Sequence, residues 1–335
     1  MTETVLVTGG TGYVGGWCVV ELLRGGYQVR TTVRDHSKEQ AVLDAVATQV
    51  DVDGRLEFVI ADLTADAGWD AAVKDVDHVL HVASPMGGTD AVDPEALIAT
   101  ARDGALRVLR AATAAGVRRV VLTSAANTAS PSSYAEEGVT DETLWTDPDD
   151  PTLIPYRRSK TLAELAAWDH MASYDGPTEL TTILPGAVFG PILATGTLGS
   201  VGIVQRMLTG AMSGVPRIGL EIVDVRDLAD IHVRAMTSPK AAGERFLATG
   251  EFTWMRDMAH ALKEDLGEDG RQVSTEQIPD DVVRGIPAMS EIAPALGRRN
   301  RHSTAKAEAL LGRRPRPARE SVVDCARSLI AHGAV

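Results

Sequence analysis

Eight residues near the start of the chain, Thr8–Gly15 (TGGTGYVG), constrain its fold more than any others. They follow a short β-branched run, Thr4–Thr8, and lead into a helical pattern from Tyr13 to Arg24. Gly9, Gly12 and Gly15 fall three apart, and each position has its own reason for lacking a side chain. The three reasons are a tight turn, a close backbone approach to a pyrophosphate, and close packing of helix on sheet. The first helical turn adds unpaired N–H groups and the positive end of a dipole, both suited to phosphate. A strand, a glycine turn and a helix in this order predict a parallel α/β unit that binds a dinucleotide. Thr11, Tyr13 and Val14 lie in the same turn and are candidate cofactor contacts.

The rest of the first half repeats the alternation. Strand patterns at Val29–Val33, Leu56–Ile60, Asp77–Val82, Arg119–Thr123 and Glu179–Leu184 are separated by helical patterns at Gln40–Val50, Ala67–Lys74, Pro94–Ala115 and Tyr156–Ser173. Short apolar strands between amphipathic helices predict a doubly wound α/β fold, a parallel Rossmann sheet covered on both faces. Beyond Pro185 glycine and proline recur, with helices expected at Thr197–Leu208, Arg226–Met236, Trp254–Leu266, Ser303–Leu311 and Glu320–Ala331. The expected division is a dinucleotide-binding region, 1–184, and a small C-terminal substrate-binding lobe, 185–335, integrated with the sheet.

Composition excludes several alternatives. The 335 residues are 44% hydrophobic and 24% charged, a folded globular balance, and no run of apolar residues is long enough to span a membrane. Thirty-three Lys and Arg against 46 Asp and Glu give −13, which argues against nucleic acid and anionic lipid as partners. Cys18 and Cys325 are too few for a disulfide framework. The opening MTETVLVTGG has no basic and apolar leader, so a cytoplasmic protein is expected. Arginines 298, 299, 301, 313, 314, 316 and 319 crowd together and read as a solvated basic face, with an anion-binding patch as the alternative.

The end of the second strand selects the dinucleotide. An acid there bonds a ribose 2′-hydroxyl and a cation accommodates a 2′-phosphate. Val33 is followed by Arg34, Asp35 and Lys38, two cations against one acid, which favours NADPH. Asp35 can instead cap the following helix or bond a ribose. After the third strand, Asp62 and Leu63 can meet the adenine, although Asp62 equally suits an N-cap. After the fourth, Val82, Ala83 and Ser84 are small enough to let a cofactor lie against the backbone.

Tyr156 and Lys160, four apart, share one side of a helix. A neutral tyrosine can hand its proton to a carbonyl oxygen as hydride arrives, and a nearby ammonium favours the phenolate it leaves. With these residues the chain resembles the extended short-chain dehydrogenase/reductases. It is most similar to the branch of dihydroflavonol 4-reductases, cinnamoyl-CoA reductases and microbial NADPH-dependent aldehyde and ketone reductases. The resemblance rests on Thr8–Gly15, Tyr27–Asp35 (YQVRTTVRD), His81–Met86 (HVASPM), Asp141–Asp147 (DETLWTD), Tyr156–Glu164 (YRRSKTLAE), Leu184–Pro191 (LPGAVFGP) and Val223–His232 (VDVRDLADIH). It implies that Arg34 meets the 2′-phosphate, that Lys160 holds the nicotinamide ribose, and that Pro185, Val188 and Ser200 line the nicotinamide end, with Thr123 and Gly186 beside them. It also implies a serine next to the tyrosine, where Thr123–Ser124–Ala125–Ala126–Asn127–Thr128 stands. Without a gap, Ala125 takes that place; Ser124 is the candidate third catalytic residue, with Thr128 or a water as alternatives.

The expected function is an NADPH-dependent carbonyl reductase, with Tyr156 as proton donor to an aldehyde or ketone. A nucleotide-sugar epimerase or dehydratase, or a non-catalytic NADP sensor, are the alternatives. The expected partner is a small-molecule carbonyl substrate, met by a monomer or homodimer. Met86, Trp145 and residues near Phe189–Ser200 are expected to line the substrate pocket.

Overall fold

A strand that is apolar on both faces needs cover on both, and β1, Thr4–Thr8, has it, with Val5, Leu6 and Val7 fully buried. The computed structural model describes residues 2–85, 93–131, 137–196, 199–290, 292–312 and 314–335. In chain order the sheet layer is built from β1, α1 (Tyr13–Arg24), β2 (Gln28–Val33), α2 (Glu39–Ala47), β3 (Leu56–Ile60), α3 (Trp69–Val73), β4 (His78–His81), α4 (Pro94–Ala114) and β5 (Arg119–Thr123). There follow β6 (Gly138–Thr140), α5 (Pro155–Ala172), β7 (Glu179–Pro185), β8 (Ala187–Phe189), α6 (Val201–Leu208), β9 (Gly219–Asp224), α7 (Val225–Thr237), β10 (Arg245–Ala248) and β11 (Glu251–Trp254). The chain ends with α8 (Met255–Leu266), α9 (Asp280–Arg284), β12 (Asn300–His302), α10 (Ala305–Leu311) and α11 (Ala318–Ala331).

Among the described residues seven strands form one parallel sheet in the order β10-β7-β5-β4-β1-β2-β3. Alternation divides its residues between two cores. Val5, Val7, Leu80 and Val121 pack with α1 and α7, while Leu6, Val79, Val120 and Leu122 pack with α3, α4 and α5. The strand order reverses between β1 and β4, the switch point at which ligands sit beyond the carboxyl ends of the strands. Above those ends lies the lobe, a small sheet in the order β11-β9-β8 packed with α6, α8 and α11 around Phe189, Ile192, Met207, Met258, Leu262 and Leu329. No helix among the described residues is long and apolar enough to cross a membrane.

Two differences from the sequence reading concern the second half. Short strands were expected between the later helices, but without bounds, and that one of them, β10, joins the main sheet beside β7 was not read from Arg245–Ala248, a four-residue run that includes an arginine. It and α7 belong to the sheet layer although both lie beyond Pro185. The helix expected from Thr197 begins at Val201, and Thr197 and Leu198 lie outside the described residues.

Candidate active site

The glycine turn is shaped by what a side chain would strike. Gly9 has φ +77°, and a Cβ there would stand 3.0 Å from the Ala83 Cα. A Cβ on Gly15 would come within 2.2 Å of the Gly9 carbonyl oxygen, so the helix can begin this close to β1 only with glycine. Gly12 caps α1 without a side-chain bond, and the first turn holds no acid, leaving its N–H groups open to an anion. Beneath the turn, Thr8 Oγ1 accepts the N–H groups of Val82 at 3.1 Å and Ala83 at 3.0 Å, which fastens β1 to β4 at the switch point.

These elements open into a cleft of about 1010 Å³. Gly9, Thr11, Gly12, Tyr13, Val14 and Gly15 line its first part, followed by Arg34, Asp62, Leu63, Val82, Ala83 and Ser84. Thr123, Ser124, Tyr156, Lys160, Pro185, Gly186, Val188 and Ser200 line the remainder, so the cleft gathers every proposed contact except Lys38. Lys38 sits exposed on the turn after β2. Asp35 caps that turn by accepting the Ser37 N–H at 2.7 Å, the capping alternative. Arg34 faces the cleft with no ion pair among the described residues, near Asp62. Asp62 accepts the Thr64 N–H at 2.8 Å and hydroxyl at 2.7 Å; those bonds, with Arg34, hold its carboxyl below the usual range.

Helix α5 brings Tyr156, Lys160 and Glu164 to one side at successive turns. Arg157, buried, fixes the facing loop by donating to the carbonyls of Asn127 at 3.0 Å, Ser130 at 2.8 Å and Pro131 at 2.6 Å. Burial raises the Tyr156 phenol, which stays protonated at neutral pH. Lys160 donates to the Thr123 carbonyl at 3.4 Å, and burial pushes its ammonium down to about 8 against the opposing pull of Glu164.

The serine question has a clear geometry. Ser124 N–H donates to the Ile183 carbonyl at 2.7 Å, so the ladder continues past Thr123 and alternation holds. Thr123 turns to His232 on α7, with Oγ1 and Nε2 2.7 Å apart, whereas the Ser124 hydroxyl donates to Glu164 Oε2 at 2.6 Å. Thr128 also lies 2.6 Å from Oε2, Thr182 donates to Oε1 at 2.8 Å, and Arg245 Nε donates to Oε1 at 2.9 Å. Ser124 and Thr128 therefore both serve a buried carboxylate below the cleft, while Ala125 stands on its wall.

The far end holds residues that the sequence reading did not assign to the site, Arg298 among them having been read as part of a basic face. Asn127, Ser130, Glu221, Arg298, Asn300 and His302 line that end. His302 joins three elements: its Nε2 is 2.7 Å from Ser130 Oγ and its Nδ1 pairs with Glu221. Asn300 and His302 share one face of β12, and Arg298 lies just before the strand, all three within or beside the arginine cluster. Trp145 is not in the cleft and lies flat under the Arg245 guanidinium at 3.5 Å. Phe189 is core, and Met86 lies outside the described residues.

Comparison with known proteins gives consistent neighbours. The pattern of the NAD dependent epimerase/dehydratase family matches residues 5–248. A ketoreductase of Aspergillus niger is 34% identical over 310 residues, covering 85% of this chain and 89% of its own. Cinnamoyl-CoA reductase 1 of Oryza sativa subsp. japonica is 34% identical over 267 residues, 78% of this chain and 75% of its own. The structure of Gre2 from Candida albicans in complex with NADPH superposes with a TM-score of 0.81 at 26% identity, covering 98% of this chain and 99% of that one.

Proposed function

The chain belongs to the NAD dependent epimerase/dehydratase family, the extended short-chain dehydrogenase/reductases, and from that premise we propose that it is an NADPH-dependent reductase of aldehydes or ketones with Tyr156 as proton donor. The observation that carries this reading is the meeting of two features on one cleft: the glycine turn at one end, and Tyr156 with Lys160 one helical turn apart beside it.

The residues present fit the dinucleotide. The cradle at Gly9 and Gly15 admits no Cβ, the N–H groups of α1 would hold a pyrophosphate, and Arg34, with no ion pair among the described residues, would meet a 2′-phosphate. Asp62 and Leu63 would hold the adenine and Pro185, Gly186, Val188 and Ser200 the nicotinamide, all of them lining the cleft. When bound, NADPH supplies the hydride. Tyr156 gives its phenolic proton to the substrate oxygen as negative charge develops there. Lys160, cationic below about pH 8, stabilises the phenolate that remains. Ser124 is committed to Glu164, so the substrate oxygen rests on Tyr156 and on whatever reaches it from the Ala125 wall. The lobe beyond Pro185 closes the substrate end with Leu220, Phe252, Arg298 and β12.

The test is NADPH oxidation, followed by absorbance, against aromatic and aliphatic aldehydes, β-keto esters and diketones, with wild type and Tyr156→Phe. Phenylalanine keeps the ring and removes the proton, so turnover should fall about 10²–10⁴-fold with NADPH affinity retained. Near-normal turnover in the variant would show that another group supplies the proton. Tight NADPH binding with no oxidation on any carbonyl would favour the sensor instead.

A further inference from the structure

The end of β4 holds a histidine for which the proposed reduction has no use. His81 is 3% exposed. Its state follows from counting hydrogens. Thr8 Oγ1 accepts two backbone N–H groups, from Val82 and Ala83, which occupy its lone pairs. The one hydrogen of that hydroxyl therefore goes to His81 Nδ1, 2.8 Å away. Nδ1 is the acceptor, and the ring proton sits on Nε2. Burial, helped by the Lys160 charge, pushes this imidazole down to about 3, so the tautomer persists across the neutral range. The Nε2–H has no protein acceptor among the described residues.

It borders a small alcove behind Lys160. His81, Ser84, Ser124, Lys160 and Glu164 supply the polar wall and Leu122 part of the apolar one. The space is about 10 Å³, near what a single water needs and too small for any larger group. Lys160 borders it too, with three protons and, among the described residues, one protein acceptor, Thr123 O, at a long 3.4 Å. Two side chains with hydrogens to donate and none to accept from each other thus border one water-sized space. Ser124 Oγ beside them has given its own hydrogen to Glu164 and keeps lone pairs free to accept.

We propose that this alcove is a hydration site, and that its water, accepting from His81 Nε2–H and from the Lys160 ammonium and donating to Ser124 Oγ, makes His81 a positioning residue for Lys160. The groups facing Lys160 are Tyr156 and Glu164 on its own helix, Thr123 at the end of β5 with Ser124 just after it, and His81 on β4, with Arg245 of β10 behind Glu164. Glu164 is the one anion among them, and its oxygens already receive Ser124, Thr128, Thr182 and Arg245. On the alcove side the water is then the partner able to aim the ammonium and keep it charged.

The inference deepens the proposed reduction at the same site, and only its kinetic arm rests on that reading. The structural arm uses the full chain. Nitrogen-15 spectra of the histidine side chains should show His81 with a bare Nδ1 and a protonated Nε2. A crystal structure that orders waters should place one within hydrogen-bond distance of both His81 Nε2 and Lys160 Nζ. A proton on Nδ1, or a dry alcove, overturns the proposal. In the kinetic arm, His81→Leu should lose about tenfold or more in kcat, and the alkaline limb of its pH profile should move down by about half a pH unit or more, at nearly unchanged NADPH affinity. His81→Gln keeps one acceptor and one donor and should restore most of both. An unmoved limb in a folded His81→Leu protein would make His81 a packing residue and overturn the role assigned to it. If His81→Leu does not fold, His81→Gln decides: wild-type-like kinetics without the bridging water would refute the proposal. If wild type reduces no carbonyl, it is the function that fails, and the structural arm still decides the water.

Discussion

Replacing Glu164 by glutamine should be the most costly conservative change near the cleft. Its carboxylate is fully buried and takes Ser124 at 2.6 Å, Thr182 at 2.8 Å and Arg245 at 2.9 Å. Glutamine keeps the shape, but it removes the charge opposite Arg245 and turns an N–H₂ toward groups that are themselves donors. Breaking a buried ion pair by removing one partner costs about 3–5 kcal/mol. Arg245 keeps the carbonyls of Glu142 at 2.6 Å and Leu144 at 3.0 Å and the face of Trp145, so the lower half of that range is expected. At about 2.1 cal/mol/K per residue, 335 residues give an unfolding entropy near 0.7 kcal/mol/K, and a loss of about 3–4 kcal/mol lowers Tm by about 4–6 °C. A kinetic sign follows as well. Glu164 supports the Lys160 charge, so without it the ammonium deprotonates below its present value of about 8, and the alkaline limb of activity moves to lower pH. Scanning calorimetry at pH 7 and a kcat–pH profile check both. A Tm drop under about 2 °C with an unmoved limb would refute the reasoning, showing that Trp145 and the carbonyls suffice for Arg245.

Three further outcomes are expected. Arg34→Ala should weaken NADPH about tenfold or more and leave NADH unchanged in calorimetric titration, since a charge-assisted contact is worth about 1.5–3 kcal/mol; equal losses for both cofactors would place the 2′-phosphate elsewhere. Ser124→Ala removes one of several donors to Glu164 and should cost about 1 kcal/mol of stability with little turnover, whereas Ala125→Ser puts a hydroxyl on the cleft wall and should raise turnover; the opposite pair of results refutes the assignment. His81 and His232 are buried neutral, pushed down to about 3 and about 4, so below pH ~6.5 the unfolded chain takes up protons that the folded chain refuses and stability falls with pH, by up to about 1.4 kcal/mol per unit for each; urea melts at pH 7, 6 and 5 measure the slope, and a flat response refutes it.

What could be read from the chain alone follows from where the information lies. The glycine turn, the first five strands and α5 were legible because each is a local pattern. TVLVT must be buried on both faces, three glycines in this spacing mark a close approach, and Tyr156 and Lys160 need only a helix to come together. A short strand between the later helices was legible, but the place of β10 in the main sheet was not, because four residues, RFLA, carry no sign of which strand they pair with. It is held by pairing with β7 and by the placement of Arg245 against Glu164, 81 positions earlier in the chain. The same pair explains why the serine could not be assigned from sequence. Alternation said which way Ser124 points, but not that a carboxylate waits there, 40 residues along the chain, to accept its hydrogen. The arginine cluster reads as a solvated face, and Arg298, Arg299, Arg301, Arg314 and Arg319 are indeed exposed. What composition did not show is that Asn300 and His302, on β12 where it pairs with β6, and Arg298 just before it line the far end of the cleft. Local periodicity thus located the glycine-turn end of the cleft. The far end is written in contacts between distant segments, which a single sequence does not display.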